Sequence, residues 1–186
     1  DAYSHHAAKR SLGEWLVGDG IPAMSGIDTR KLTRHLREFG TMRGWLFPVS
    51  MSLEDAKMQA DVMDMQDKVF RKVAPNEAIT YPGSGPKIVL VDVGAKDNIV
   101  RSLLDRGAHV IRVPWHAGLS HYLAEADGWV IGNGPGAPTD LGAFVDQLRA
   151  IMSRCEMPLV GICMGNQIQG LAAVCDTYKL PYVPRR

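Results

Sequence analysis

Cysteine is scarce in this sequence and shows no pairing pattern: Cys155, Cys163 and Cys175 are the only three, they are widely spaced, and no C-x-x-C pair occurs. An odd, scattered set argues against a disulfide framework and offers neither a zinc-site nor a dithiol redox pattern. The thiols are expected to be free, in a reducing compartment. Long apolar runs are missing too. Nothing approaches the roughly 20 residues that cross a bilayer, and the opening stretch from Asp1 to Arg10 is polar, without a signal-peptide pattern. The expected location is the cytoplasm. There is no excess of one charge, with 21 Lys plus Arg against 20 Asp plus Glu, which gives no support for a nucleic-acid or membrane partner. Internal repeats and low-complexity tracts are absent.

What remains is a chain of 186 residues, 46% apolar, able to bury a core as one domain or two small ones. From Ser4 the run SHHAAKRSLGEWLVGDG has helical spacing, with Ser4 placed to cap and Ala8, Leu12, Trp15 and Leu16 on one face. Asp28 and Thr29 are cap candidates for a second helix, KLTRHLREF, which Gly40 terminates. A strand is expected across Met42 to Phe47, and Ser52 with Asp55 predicts a capped third helix, LEDAKMQADVM. The stretch PNEAITYPGSGP, residues 75–86, holds three prolines and two glycines and no core-facing period. It is read as a linker between a smaller mixed α+β domain (1–74) and a second domain (87–186).

In the second domain the apolar runs KIVLVDV (87–93), HVIRVPW (109–115), GWVIGN (128–133) and MPLVGI (157–162) are short, β-branched and largely continuous. They predict strands buried on both faces. Helical stretches separate them at Asp97 to Arg106, Ser120 to Ala126 and Leu141 to Arg154. The alternation predicts an α/β fold with a mostly parallel sheet, whose chemistry gathers at the carboxyl ends of the strands.

The sharpest signal is PLVGICMGNQ, residues 158–167: a buried strand, Gly-x-Cys-x-Gly, and the start of a helix carrying Ile168 and Leu171. It is the thiol form of a nucleophile elbow. A strand that turns directly into a helix forces the residue between into a strained conformation, and side chains at Gly161 or Gly165 would collide with neighbouring backbone. Cys163 would then stand at a helix N-terminus, where free N–H groups and the helix dipole favour thiolate, and the N–H of Met164 is placed to bond an oxyanion. The bland alternative, a small core residue, fits Cys155 and Cys175 better, because neither has this context. A second glycine segment, GNGPGAP (132–138), directly follows a predicted strand. Its N–H groups suit a second oxyanion donor; a plain turn is the alternative, and the spacing is not that of a dinucleotide loop.

NGPG after one strand and GICMGNQ after a later one together resemble the class I, or triad, glutamine amidotransferases. Within them, YSHHAAKRSLGEWL, GIPAMSGIDTRKLTRHLREFGTMRGWL and VDVGAKDNIVRSLLDRG resemble the small subunit of carbamoyl-phosphate synthetase. The resemblance covers nearly the whole chain, least distinctively at 76–86. It implies that Cys163 attacks the carboxamide of L-glutamine, forming a glutamyl thioester and ammonia, with Met164 and Gly134 N–H groups on the oxyanion and Gly136 and Gln167 at the substrate. It also implies a large-subunit partner that receives the ammonia and uses ATP and Mg, no cofactor or metal in this chain itself, and contact with that partner through residues before about Ala74.

Two positions depart from the family pattern: Asn166 stands where His is usual, and Ala137 where Asp is usual. The family also places its catalytic His and supporting Glu in a later His-Pro-Glu segment, whereas these residues end TYKLPYVPRR. The sequence is therefore expected to be a fragment cut at both ends and poorly active alone. All six histidines, His5, His6, His35, His109, His116 and His121, suit surface or capping roles better than that of a substitute base; of them His116, after a strand end, comes nearest to the active-site edge. A non-catalytic scaffold built on the same fold, or another α/β thiol hydrolase, are the competing readings.

Overall fold

The computed structural model describes residues 3–40, 42–59, 68–154 and 157–178. The described residues form two compact units, one within Asp1–Asp61 and one within Val62–Tyr178.

Local capping decides the helices of the first unit. Helix α1 (Leu12–Gly18) starts at a reciprocal capping box, in which Ser11 Oγ accepts the Glu14 N–H at 3.2 Å and the Glu14 carboxylate accepts the Ser11 N–H at 2.7 Å. The helix expected from Ser4 thus begins seven residues late. Ser4 has no acidic partner three residues on, while Ser11 does. Helix α2 (Thr29–Phe39) is capped by Asp28, whose carboxylate accepts the Lys31 N–H at 2.8 Å, and ends at Gly40 with φ +81°. Helix α3 (Leu53–Gln59) begins where Ser52 Oγ accepts the Asp55 N–H at 3.0 Å; residues 60–63 of its expected length lie outside the described residues. The strand expected at 42–47 is not formed. Met42, Trp45, Leu46 and Phe47 are exposed, and a β-prone segment has no strand geometry to adopt without a neighbour for its N–H and C=O groups. Among the described residues this unit is helical only, not mixed α+β.

The second unit is an α/β fold around a five-stranded sheet ordered β1-β3-β2-β4-β5. Its strands are β1 (Ile79–Tyr81), β2 (Lys87–Asp92), β3 (His109–Pro114), β4 (Gly128–Ile131) and β5 (Leu159–Gly161). All pairings are parallel except that of β1 with β3. Alternate residues face opposite layers. Val89, Val91, Ile111, Val113, Trp129 and Ile131 join the larger core, which is completed by α6 (Gly142–Met152) and α7 (Met164–Ala172). Leu90 and Val110 face the other way, against Val100, Ile99, Leu103 and Leu104 of α5 (Asp97–Leu104). The expected helix at 120–126 is a single 3-10 turn, Leu119–Tyr122. Strand β5 is the edge of the described sheet, with Val160 55% exposed, and is not buried on both faces as its apolar run suggested.

The supposed linker belongs to this unit. Residues 79–81 form β1, and Gly85 donates its N–H to the Gly107 carbonyl at 2.8 Å. A Cβ on Gly83 would lie 2.6 Å from the Ala108 carbonyl carbon. Its glycines and prolines mark a short edge strand lying close on neighbouring backbone, a different use of the same composition. Helix α4 (Lys68–Val73), upstream of it, also contributes to the α/β core through Val69 and the fully buried Phe70. No helix among the described residues is long and apolar enough to cross a membrane.

Candidate active site

Because β2, β3, β4 and β5 run parallel, the segments leaving them emerge along one edge of the sheet. The segment after β5 is the tightest. Ile162 N–H bonds the Ile131 carbonyl at 2.9 Å, Cys163 follows with φ +54° and ψ −107°, and α7 begins at the next residue. A non-glycine residue in that region is strained and persists only where its surroundings hold it there. Here they do: a Cβ on Gly161 would lie 2.5 Å from the Asn166 nitrogen, and one on Gly165 would lie 2.7 Å from the Ile131 carbonyl carbon. The two glycines allow the strand, the turn and the helix to stack without a gap. The opposite end of α7 is anchored by Arg149 of α6, whose guanidinium bonds the Ala172 and Leu171 carbonyls at 3.2 and 3.1 Å.

The result is a Cys163 side chain exposed to solvent at the N-terminus of a nine-residue helix. Its carbonyl accepts the N–H groups of Asn166 and Gln167, at 3.1 and 3.2 Å. Gln167, four residues on and therefore on the same helical face, is exposed as well, whereas Met164 is buried. Cys175 is also exposed but lies beyond α7 in no such turn; Cys155 lies outside the described residues.

The glycine loop leaves the neighbouring strand. Ile131 of β4 pairs with Gly161 of β5, so Gly134 and Cys163 are three and two residues beyond one matched pair of strand ends. A Cβ on Gly134 would meet Val93 Cγ2 at 2.9 Å, and Gly136 has φ +76°. Among the described residues the N–H groups of Gly134 and Met164 have no acceptor. Ala137 occupies the cap position of the 3-10 turn Pro138–Leu141 and offers no side-chain cap.

Three residues that the sequence reading passed over brace this edge. Asp92, fully buried at the end of β2, accepts the N–H groups of Gly94 and Ala95, both at 2.6 Å, and pairs with Arg112 of β3. Arg112 also reaches Asp97 at 3.0 Å and the Ala95 carbonyl at 3.3 Å. Burial by itself would lower the Arg112 pKa; the hydrogen bond and charge of Asp92 outweigh it, and the guanidinium is held more firmly protonated than usual. Asn133 joins the β4 loop to the β2 turn, accepting the Lys96 N–H at 3.0 Å and donating to the Gly94 carbonyl at 3.4 Å. A lone carboxylate closing an otherwise apolar strand, Asp92 in KIVLVDV, was the available signal.

No histidine of the second unit is hydrogen-bonded to Cys163 among the described residues. His116 does leave the correct edge of the sheet, but from β3, three strand spacings or roughly 14 Å from β5. Proton transfer requires hydrogen-bond reach. Its ring packs edge-on to Trp115, over which the Arg71 guanidinium also sits. Partial burial, then the Arg71 charge, holds the His116 pKa below the ordinary value. His109 opens β3 at the opposite edge, and His5, His6 and His35 belong to the first unit. No cluster of three or more His, Cys, Asp or Glu among the described residues could hold a metal ion.

Comparison with known proteins places this architecture. The family Glutamine amidotransferase class-I matches residues 89–186, more than half of the chain, and the Carbamoyl-phosphate synthase small chain, CPSase domain, matches residues 1–46. A carbamoyl phosphate synthase small chain from Symbiobacterium thermophilum is 42% identical over 98% of this chain and 52% of its own length. An arginine-specific small chain from Neurospora crassa is 38% identical, over 97% of this chain and 40% of its own. A pyrimidine-specific small chain from Halalkalibacterium halodurans is 36% identical, over 98% and 50%. The chain thus spans about half the length of the curated relatives it matches. With a strand, a strained cysteine and a helix inside the matched segment, the chain belongs to the class-I glutamine amidotransferase family, and its relatives there are small chains of carbamoyl phosphate synthase.

Proposed function

We propose that this chain carries the nucleophile of a glutamine-hydrolysing subunit of carbamoyl-phosphate synthetase. One observation supports the reading above the others: an exposed cysteine held at φ +54° between a parallel strand and the N-terminus of a helix. The Cys163 thiolate attacks the carboxamide carbon of L-glutamine. The developing oxyanion takes the N–H groups of Met164 and Gly134, while Gly136 and Gln167 contact the substrate. The carbon–nitrogen bond then breaks as the leaving nitrogen takes up the proton that the Cys163 thiol gave up, ammonia departs, and water hydrolyses the γ-glutamyl thioester to glutamate and free thiol.

Ammonia passes to a large subunit that uses ATP and Mg to make carbamoyl phosphate, for arginine or pyrimidine synthesis, in the cytoplasm. The match of residues 1–46 to the small-chain CPSase domain supports contact with that partner through residues before about Ala74. Since no histidine of the second unit is hydrogen-bonded to Cys163 among the described residues, these 186 residues alone are expected to hydrolyse glutamine poorly; positioned proton transfer contributes about 10²- to 10⁴-fold.

The test is Cys163→Ser in the full natural chain, assembled with its large subunit. Glutamine-dependent carbamoyl phosphate synthesis is expected to vanish while ammonia-dependent synthesis persists. Equal loss of both would mean that Cys163 is structural and that the amidotransferase reading of this thiol is wrong.

A further inference from the structure

We infer that Asn133 is a positioning residue for the oxyanion donor Gly134, acting through the clamp it makes on the β2–α5 turn; the inference rests on the amidotransferase reading above. Gly134 sits in a loop that has no regular backbone pairing of its own, since β4 stops at Ile131. An N–H aimed at a developing charge is effective only if its direction is set before the reaction. The neighbouring residue supplies the constraint. Asn133 accepts the Lys96 N–H at 3.0 Å with its side-chain oxygen and donates to the Gly94 carbonyl at 3.4 Å with its nitrogen, fastening the loop to the turn at two points.

That turn is itself immobilised. The buried Asp92 carboxylate holds the Gly94 and Ala95 N–H groups and is paired with Arg112. On either side of Asn133 the loop lies close against the same turn. A Cβ on Gly94 would lie 2.9 Å from Pro135 Cδ, and one on Gly132 would lie 2.7 Å from the Ala95 Cβ. Rigidity therefore runs from Arg112 through Asp92 and the Gly94–Lys96 turn to Asn133, and ends at the peptide that precedes Gly134. Asn is the side chain that fits: it offers one acceptor and one donor at the reach the two backbone groups require. Asp retains the acceptor and lacks the donor, and Ala lacks both.

Two thiol reagents separate positioning from folding. The probe is the chloroketone analogue of glutamine, 2-amino-4-oxo-5-chloropentanoate. The Cys163 thiolate forms a carbon–sulfur bond at its chloromethyl carbon, chloride leaves, and the ketone oxygen occupies the oxyanion position. Iodoacetamide reports only the exposure of the same thiol. In the full natural chain, Asn133→Ala is expected to slow chloroketone modification of Cys163 on the order of 10-fold or more, below the ~10²- to 10³-fold cost of losing a donor outright. Iodoacetamide modification should stay within about 2-fold, and Asn133→Asp should fall between Asn and Ala. Unchanged chloroketone modification, or slowing of both reagents alike in both variants, overturns the inference. An unsubstituted protein that fails to react with the chloroketone overturns the amidotransferase reading, and this inference with it.

Discussion

Two glycines of one helix test the packing argument by requiring opposite signs from the same substitution. Gly165 and Gly170 both lie within α7, where replacing Gly with Ala ordinarily stabilises by about 0.5–1 kcal/mol through backbone entropy. At Gly170 nothing opposes that gain, because the nearest atom to an added Cβ is the Cys175 Cβ at 3.9 Å. Gly170→Ala should therefore stabilise by about 0.5–1 kcal/mol. At Gly165 an added Cβ would lie 2.7 Å from the Ile131 carbonyl carbon and 2.9 Å from the Ile131 Cβ, nearer still to the carbonyl oxygen.

Ordinary contact needs about 3.5–4.0 Å between carbons, so helix and strand must part by roughly 1 Å. Met164, Ile168 and Ala172 of α7 are buried in the larger core, so the helix cannot slide freely. Forcing methyl groups into packed cores costs about 1–3 kcal/mol, so the net effect of Gly165→Ala is expected to be destabilising by about 0–2.5 kcal/mol after the helical gain. The same shift carries the Cys163 turn with it. A displacement near 1 Å costs about 10²-fold in a reaction that depends on alignment. Urea unfolding with an unchanged m-value reads the stability difference, and chloroketone modification of Cys163 reads the alignment. If Gly165→Ala matched Gly170→Ala in stabilising the protein, the close approach of α7 to β4 would be wrong.

The buried ion pair yields another prediction. Arg112→Met leaves the fully buried Asp92 carboxylate without its cation and should cost about 3–5 kcal/mol. Arg112→Met combined with Asp92→Asn should cost measurably less than the two single losses summed, by double-mutant cycle in urea. For His116, burial and Arg71 depress the pKa, so the native state binds protons less readily than the unfolded chain. Its contribution is fully present above the ordinary histidine pKa and is lost as pH falls through that value toward the depressed one. Unfolding midpoints measured from pH 7.5 to 5 should fall with acid, and His116→Gln should flatten that slope; an unchanged slope refutes the assignment.

Much of the site was legible in the residues alone because its causes are local. A strand that must turn into a helix within two residues needs glycines on both sides of the turn. The string Gly161-Ile162-Cys163-Met164-Gly165 states that requirement without knowledge of the rest of the fold. The capping of α2 by Asp28 and its end at Gly40 were local for the same reason, as was the alternation of β-branched runs with helical stretches that predicted a parallel sheet.

Tertiary structure alone decided the features that depend on what lies across from a segment. Ile79 to Tyr81 became a strand only because β3 offered an edge, while Met42 to Phe47, of similar β-propensity, met none among the described residues. The separation of His116 from Cys163 follows from strand order, which no reading of β3 and β5 in isolation contains. Asp92, Arg112 and Asn133 are separated in sequence by 20 to 41 residues, yet Asp92 meets Arg112, and Asn133 meets the Gly94–Lys96 turn beside Asp92, because parallel strands return their carboxyl ends to one edge of the sheet. Sequence encoded the bend that displays the sulfur; the sheet determined which side chains brace the loop beside it.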